Sequence, residues 1–145
     1  MAFEPKTDRF REIIREHLQR QHFMKHLDCT LTVIEPGYVE AVIELKEYHQ
    51  QQIGLVHGGV TATIADVAAG FAGFTLVDEH QHTVTAEIKI SYFAKAVGRR
   101  LRSVGTVVKA GRTMHFCEAE VYCEDWEGAE VLVAKATTTM AIITP

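Results

Sequence analysis

Several features that mark special classes of protein are missing or scarce in this chain of 145 residues. There are three cysteines, Cys29, Cys117 and Cys123, and no two of them form a Cys-x-x-Cys pair. An odd number of cysteines without such a pair is typical of free thiols in a reducing compartment, so the expected location is the cytoplasm. No run approaches the ~20 apolar residues that cross a bilayer, and the charged segment Met1–Arg20 lacks the apolar centre of a signal peptide.

A surplus of positive charge is also missing, since the formal net charge is −4 at pH 7. This balance argues against a nucleic-acid partner, because such proteins usually carry a basic surplus. Low-complexity tracts, internal repeats and linkers are absent, and the composition of 47% hydrophobic and 23% charged residues is ordinary for a globular protein. We therefore expect one domain over residues 1–145.

The N-terminal part has the spacing of an amphipathic helix. Thr7 can cap a helix that runs to about residue 20, and its apolar stripe includes Phe10 and Ile14. A further turn is expected over Phe23–Leu27, where the core of the domain begins and from which it extends to about residue 143.

Alternation with a period of two begins at Cys29 and predicts a hairpin that turns at Glu35-Pro36-Gly37. A polar loop follows, and then a buried helix from about Gly58 to Val77. One long apolar helix and a single sheet predict an α+β fold in which an antiparallel sheet curls around the helix. Four more strands are expected, at Thr83–Phe93, Leu101–Lys109, Thr113–Cys123 and Val131–Ile143.

The segment His57–Asp66 contains the strongest chemical signal. Gly58 and Gly59 open the buried helix, whose first turn offers unpaired N–H groups to a developing oxyanion. Asp66 follows two turns later among apolar residues, where an idle charge is costly. Together they indicate acyl transfer or hydrolysis. The structural alternatives are close helix–sheet packing at the glycines and a hydrogen-bonded helix-to-loop tie at Asp66.

These features resemble the PaaI-like branch of the hotdog-fold acyl-CoA thioesterases, within the hydroxybenzoyl-CoA thioesterase superfamily. The resemblance implies a hotdog fold with an extra N-terminal helix. It also implies hydrolysis of acyl-CoA, with aryl or medium-chain acyl groups, to the free acid and CoA. The residues that carry the resemblance are Gln51, His57-Gly58-Gly59, Asp66, the strand Val84–Phe93, the Gly98 turn and Gly111-Arg112.

The resemblance assigns roles to four residues, and the position of His57 beside the glycines suggests a role for a fifth. The N–H group of Gly58 would bind the thioester carbonyl, and Asp66 would reach in from the partner subunit as nucleophile or as general base on water. Gln51 would position the water or orient the carboxylate, although a solvated loop glutamine is the simpler explanation. Thr85 would help to hold the water, although threonine is common at exposed strand positions. His57 either fixes the helix start or acts as a base.

Partners follow from the same resemblance. It implies a homodimer whose sheets join edge to edge, with active sites at the interface, and further assembly into a homotetramer. Gly59 would line the substrate site, and cations would bind the phosphates of CoA at its mouth, although a solvated charged hairpin explains the same residues. These cations are Lys95, Arg99, Lys109 and Arg112.

No cofactor or metal is expected. The remaining histidines lack metal-ligand spacing with acids or cysteines, and they are assigned to the solvated surface. Two rival functions stay open at this point: a hotdog hydratase or dehydratase that acts on acyl thioesters, and a non-catalytic module that binds acyl-CoA. Phe71, Phe74, Leu55 and Ile53 line either an acyl pocket or the ordinary core.

Overall fold

The structure, a computed structural model, describes residues 2–145. Two short helices, a hairpin, one long helix and four strands follow each other in the predicted order. Within residues 2–145, none of the helices has the length and apolar character needed to cross a membrane. The elements are α1 Phe10–Arg20, α2 His22–His26, β1 Cys29–Glu35, β2 Tyr38–Glu44, α3 Gly58–Phe74, β3 His82–Tyr92, β4 Arg100–Ala110, β5 Met114–Glu124 and β6 Glu130–Ile143.

The six strands form one antiparallel sheet in the order β1-β2-β4-β5-β6-β3. Strand β3 therefore lies at an edge of the sheet, although it is the third strand in the chain. The sheet curls around α3, which contacts all six strands. This arrangement confirms the predicted α+β fold with a sheet wrapped around a central helix and an extra N-terminal helix.

The helix and the sheet approach each other closely because their facing residues are small. Ala65, Ala68 and Ala69 of α3 are fully buried against the sheet. A methyl group added at Gly105 of β4 would overlap the carbonyl group of Ala68 and lie 2.6 Å from the backbone nitrogen of Ala69. Glycine at position 105 is therefore required by the backbone of the helix that crosses over it.

The start of α1 and the end of α3 both differ from their predicted positions, and each helix is shorter than predicted. The helix α1 begins at Phe10, and its N-cap residue is Arg9. Thr7 lies before the helix, where its hydroxyl accepts from the Arg9 N–H at 3.2 Å and donates to Glu79 at 2.6 Å. The predicted cap at Thr7 is therefore wrong.

At the other boundary, α3 ends at Phe74 rather than at Val77. The Thr75 hydroxyl donates to the Ala72 carbonyl at 2.6 Å and accepts from the Gly37 N–H at 2.7 Å. These two bonds hold the end of the helix against the turn between β1 and β2. Hydrophobic periodicity does not predict the end of α3 at Phe74, because Gly37, which donates to Thr75, is distant in the sequence.

Two histidines contradict the expectation of solvated side chains. His49 is fully buried, where its Nδ1 accepts from the Lys46 N–H and its Nε2 donates to the Leu27 carbonyl, both at 2.9 Å. His115 is also buried, with its Nδ1 3.0 Å from the Gly73 carbonyl, and burial lowers its pKa. Both act as polar ties inside the core, since each bridges elements that are distant in the chain.

The three cysteines are free, as predicted, and the structure shows that all three are buried. Burial raises the pKa of Cys29 and of Cys117 to about 12 and that of Cys123 to about 11. Their thiolate fraction near pH 7 is therefore very small, and they behave as small apolar side chains rather than as nucleophiles.

The close contact at Gly105 leads to a stability prediction. Gly105→Ala is expected to lower the free energy of unfolding by about 2–3 kcal/mol, because the added methyl must push α3 away from β4. Gly70→Ala is the matched control, since a methyl group there meets only the end of Met140 at 3.7 Å and alanine favours a helix. Urea unfolding followed by circular dichroism measures both. Equal stability of the two variants would contradict the proposed contact.

Candidate active site

The first turn of α3 leaves one backbone donor free. His57 caps this helix, since its Nδ1 accepts from the Gly59 N–H at 2.8 Å. The His57 carbonyl accepts from Val60 at 2.9 Å and from Thr61 at 3.3 Å. Within residues 2–145, the N–H of Gly58 has no hydrogen-bond partner, so this group at the positive end of the helix is available to a ligand oxygen.

Glycine is required at position 59 but not at position 58. A methyl group at Gly59 would come within 3.0 Å of the His57 Nδ1, so glycine there makes room for the capping imidazole. A methyl group at Gly58 would lie 3.5 Å from the Tyr92 hydroxyl, which is an ordinary contact. Helix–sheet packing therefore does not require glycine at position 58, which lines an open space beside the helix start.

That space is a cavity of about 410 Å³ between the start of α3 and the end of β3. Tyr92 forms one wall, and its hydroxyl donates to the Gly58 carbonyl at 2.8 Å. Lys95 is exposed and also lines the cavity. Tyr92 was not singled out as a site residue by the sequence analysis. Its position at the end of β3 was the only feature that could have indicated this contact.

Asp66 lies two turns further along α3 and is half-buried. Its Oδ1 accepts a hydrogen bond of 2.7 Å from the Thr85 hydroxyl on β3. In the described part of the chain, Oδ2 makes no hydrogen bond. The structure thus brings together two of the predicted residues, and the Thr85 hydroxyl fixes the orientation of the carboxylate while leaving one oxygen free to react.

Gly58 and Asp66 are too far apart to act together within one chain. They are eight residues apart on a continuous helix, which corresponds to about 12 Å along its axis. A thioester carbonyl bound at Gly58 would therefore be out of reach of the same chain's carboxylate. Within one chain, the free donor and the free carboxylate oxygen therefore belong to separate places on the helix.

Gln51 is turned toward its own loop. Its side-chain oxygen accepts from the Ile53 N–H at 2.5 Å, and its backbone N–H donates to the Leu55 carbonyl at 2.8 Å. The side chain thus closes a local turn in the loop before α3.

The predicted cations divide into two groups at opposite ends of the sheet. Lys95 borders the Gly58 cavity, and Arg99 nearby pairs with Glu124 at 2.7 Å. Lys109 and Arg112 are exposed at the turn between β4 and β5. Since β4 has 11 residues, the two groups are about 30 Å apart within one chain.

The predicted pocket residues are divided in the same way. Phe71 and Phe74 line a cavity beside Asp66, whereas Leu55 lines the cavity at Gly58. Ile53 is 71% exposed and lines neither cavity. Three of the four expected acyl-pocket residues therefore line two separate cavities.

Known proteins share this sequence and this fold. Residues 53–129 match the family model of the thioesterase superfamily. The human protein named acyl-coenzyme A thioesterase 13 is 28% identical over 117 residues, which cover 79% of this chain and 83% of that protein.

Solved structures give the same result. A thioesterase family protein from Silicibacter pomeroyi has a TM-score of 0.91 and 30% sequence identity, covering 94% of this chain and 99% of that chain. The E. coli PaaI protein from the phenylacetic acid degradation operon has a TM-score of 0.80 over 93% of this chain and 94% of its own. Its identity of 14% makes this a likeness of fold alone.

The cap at the start of α3 leads to a second stability prediction. His57→Ala is expected to lower the free energy of unfolding by about 1 kcal/mol, because the Gly59 N–H loses its partner. His57→Asn should keep most of the stability, since asparagine is a good N-cap residue. Chemical denaturation measures the series, with the exposed His80→Ala as control. A loss at His80 equal to that at His57 would argue against the cap.

Proposed function

This chain belongs to the thioesterase superfamily, and on that premise we propose that it hydrolyses acyl-CoA thioesters to the free acid and CoA. The observation that carries the proposal is that one buried helix presents both a free Gly58 N–H and a free oxygen of Asp66. One group suits a developing oxyanion, and the other suits attack on a carbonyl carbon or on its water. The chain is a thioesterase, and this site accounts for that activity.

The proposed active unit is a homodimer with shared sites. If two α3 helices run antiparallel about a two-fold axis near Ala62, Gly58 of one copy lies opposite Asp66 of the partner subunit, because position 62 is midway between 58 and 66. Ala62 and Thr63 are small and border a groove beside Asp66 and Ile88, so a second helix can come close.

The edge strand β3 is compatible with the same axis. Tyr92 contacts Gly58 and Thr85 contacts Asp66, and the midpoint of these two strand positions falls between Ile88 and Lys89. Ile88 lines the same groove as Ala62. The β3 strand is 11 residues long with one unpaired edge, and such an edge is usually protected by pairing. We therefore propose antiparallel pairing of β3 with β3 of the partner.

The chemistry follows from this geometry. The thioester carbonyl oxygen accepts from the Gly58 N–H, which stabilises the negative charge that develops on it. The partner's Asp66 then attacks the carbonyl carbon to form an anhydride that water hydrolyses, or it removes a proton from an attacking water. In both routes the C–S bond breaks, the thiolate of CoA takes a proton, and the products are the acid and the thiol.

Two-fold symmetry also places the two groups of predicted cations on the same side of the dimer. Since the axis reverses the direction of each strand, the Lys109 and Arg112 end of one copy comes to the same side of the dimer as the Lys95 and Arg99 end of the other. We propose that residues from both groups bind the phosphates of CoA. Gly59 lies at the helix start beside the carbonyl site, while its N–H stays with His57.

We also propose that two dimers assemble into a homotetramer and that the protein is cytoplasmic. The outer face of the sheet exposes Val108, Met114 and Phe116, and an apolar patch of this kind favours packing of two dimers into a homotetramer. Three free cysteines agree with a cytoplasmic protein. The rival functions, a hydratase and a non-catalytic binding module, are not favoured by membership of the thioesterase superfamily.

The role of the carboxylate gives the first activity prediction. Asp66→Asn is expected to lower kcat at least ~10³-fold toward acyl-CoA while leaving the fold and the dimer intact, since the amide keeps the shape but neither attacks nor takes a proton. Thiol release from a panel of aryl and medium-chain acyl-CoAs measures this, with Asp78→Asn as the matched surface control. Undiminished turnover in Asp66→Asn would overturn the proposed role.

Sharing of the site between subunits gives a second, independent prediction. Gly58→Val fills the cavity at the helix start and should be inactive alone, as should Asp66→Asn. A mixed dimer has one site with Gly58 from one chain and Asp66 from the other, so co-expression should restore about a quarter of wild-type activity. If the site lay within one chain, no mixture would recover activity, and this outcome would contradict the shared site.

A further inference from the structure

His49 is a buried titratable residue that the proposed reaction does not use. It is the last residue of a single 3₁₀ turn, Glu47–His49, and its side chain is fully buried. Its Nδ1 accepts from the Lys46 N–H after β2, and its Nε2 donates to the Leu27 carbonyl after α2, both at 2.9 Å. Because both nitrogens are bonded inside the core, turning the ring would leave two backbone groups unpaired, and the ring is held in one orientation.

The backbone of His49 holds the start of α3. The His57 N–H donates to the His49 carbonyl at 2.9 Å and closes the loop of residues 49–57. Within this loop only His49 and Val56 are buried, and the Val56 N–H donates to the Ala96 carbonyl at 2.9 Å. The loop is therefore attached to the rest of the fold on two sides, and His49 is the attachment that also binds His57.

The direction of the Gly58 N–H depends on His57. A peptide group is planar, so this N–H lies in the plane that joins His57 to Gly58. The His57 side chain also caps the Gly59 N–H, so both N–H groups at the helix start follow the same residue. A shift of His49 would therefore move the donor that is proposed to bind the thioester carbonyl.

The carbonyl group that His49 binds is itself fixed by the 3₁₀ turn. Asp28, the residue after Leu27, has a φ of +55°, which is uncommon for a residue other than glycine. The Tyr48 hydroxyl donates to the Asp28 carboxylate, and the Tyr48 ring lies 4.5 Å from the His49 ring, centroid to centroid. Two neighbouring side chains of the turn thus bind the junction between α2 and β1.

We infer that His49 is a positioning residue, which holds the Gly58 N–H at the place where the thioester carbonyl binds. This inference rests on the proposed function, because it takes Gly58 as the donor to that carbonyl. Within residues 2–145, His49 lines neither the cavity at Gly58 nor the cavity beside Asp66, so it acts through the backbone of His57. A reacting group that is misplaced by about 1 Å can lower a rate by about 10²-fold.

The test separates the hydrogen bonds of His49 from its volume. His49→Leu fills a similar space without a donor or an acceptor, and its kcat toward acyl-CoA is expected to fall by about 10²-fold. KM should stay within about threefold, because most of the CoA moiety binds away from the Gly58 N–H. His49→Gln should keep kcat within about tenfold of the wild type, since its amide still donates and accepts.

The matched control is His115→Leu, which removes another buried imidazole. That ring binds the Gly73 carbonyl at the opposite end of α3, so this variant should lose stability while kcat stays within about threefold. Urea unfolding identifies a temperature at which every variant is folded, and thiol release is measured there. An unchanged kcat in His49→Leu, or an equal loss in His115→Leu, would overturn the inference. If His49→Leu does not fold, His49→Asn replaces it, because the shorter amide does not reach the Leu27 carbonyl, and a wild-type kcat in that variant would also overturn the inference.

A second measurement does not depend on activity. Amide hydrogen exchange at His57, followed by nuclear magnetic resonance, should be at least about tenfold faster in His49→Leu than in the wild type, because the His57 N–H loses its fixed partner. Exchange in β5 should change equally little in both proteins. Wild-type exchange at His57 in this variant would contradict the inference. Full activity of Gly58→Val, or a wild type that hydrolyses no thioester, would instead overturn the proposed function, so the two failures are distinguishable.

Discussion

The contact between the backbone of β4 at Gly105 and the Ala68 carbonyl of α3 is the constraint on which the rest of the structure depends. It is possible because the fully buried residues of α3 include Ala65, Ala68 and Ala69, whose small side chains let the helix lie close against the inner surface of the curled sheet. Protein interiors are densely packed, and a helix held this tightly has little freedom to slide or rotate. Its two ends are therefore held in place, one beside Tyr92 and the other beside His17.

A rigid helix explains how one element serves both halves of the proposed reaction. Its N-terminus presents the Gly58 N–H, and its middle presents Asp66, with a separation that no side-chain movement can close within one chain. The same small-residue composition that allows close packing on the sheet leaves Ala62 and Thr63 beside an open groove on the other side. Dimerisation through that face and the β3 edge would convert two incomplete half-sites into two complete ones.

Local features of the site were predictable because local chemistry causes them. The start of α3 follows from the His57-Gly58-Gly59 sequence, since capping and the free N–H involve residues next to each other. The role of Gln51 stays a prediction, and the structure adds that its side-chain oxygen accepts from the Ile53 N–H in the loop before α3. His49 and His115 were assigned to the surface because no nearby residue reveals that Leu27 and Gly73 would be their partners.

The sequence by itself determined the elements, the curled-sheet fold around an apolar helix, and the presence of a free N–H group and a lone carboxylate on that helix. Those features depend on hydrophobic periodicity, capping and turn residues, all of which act over a few neighbouring positions. Only the tertiary structure decided that β3 pairs with β6 at an edge, that Thr85 meets Asp66, and that His17 stands beside His82. The physical reason is that these contacts join residues 19 or more positions apart, whose proximity is set by the packing of whole elements against one another.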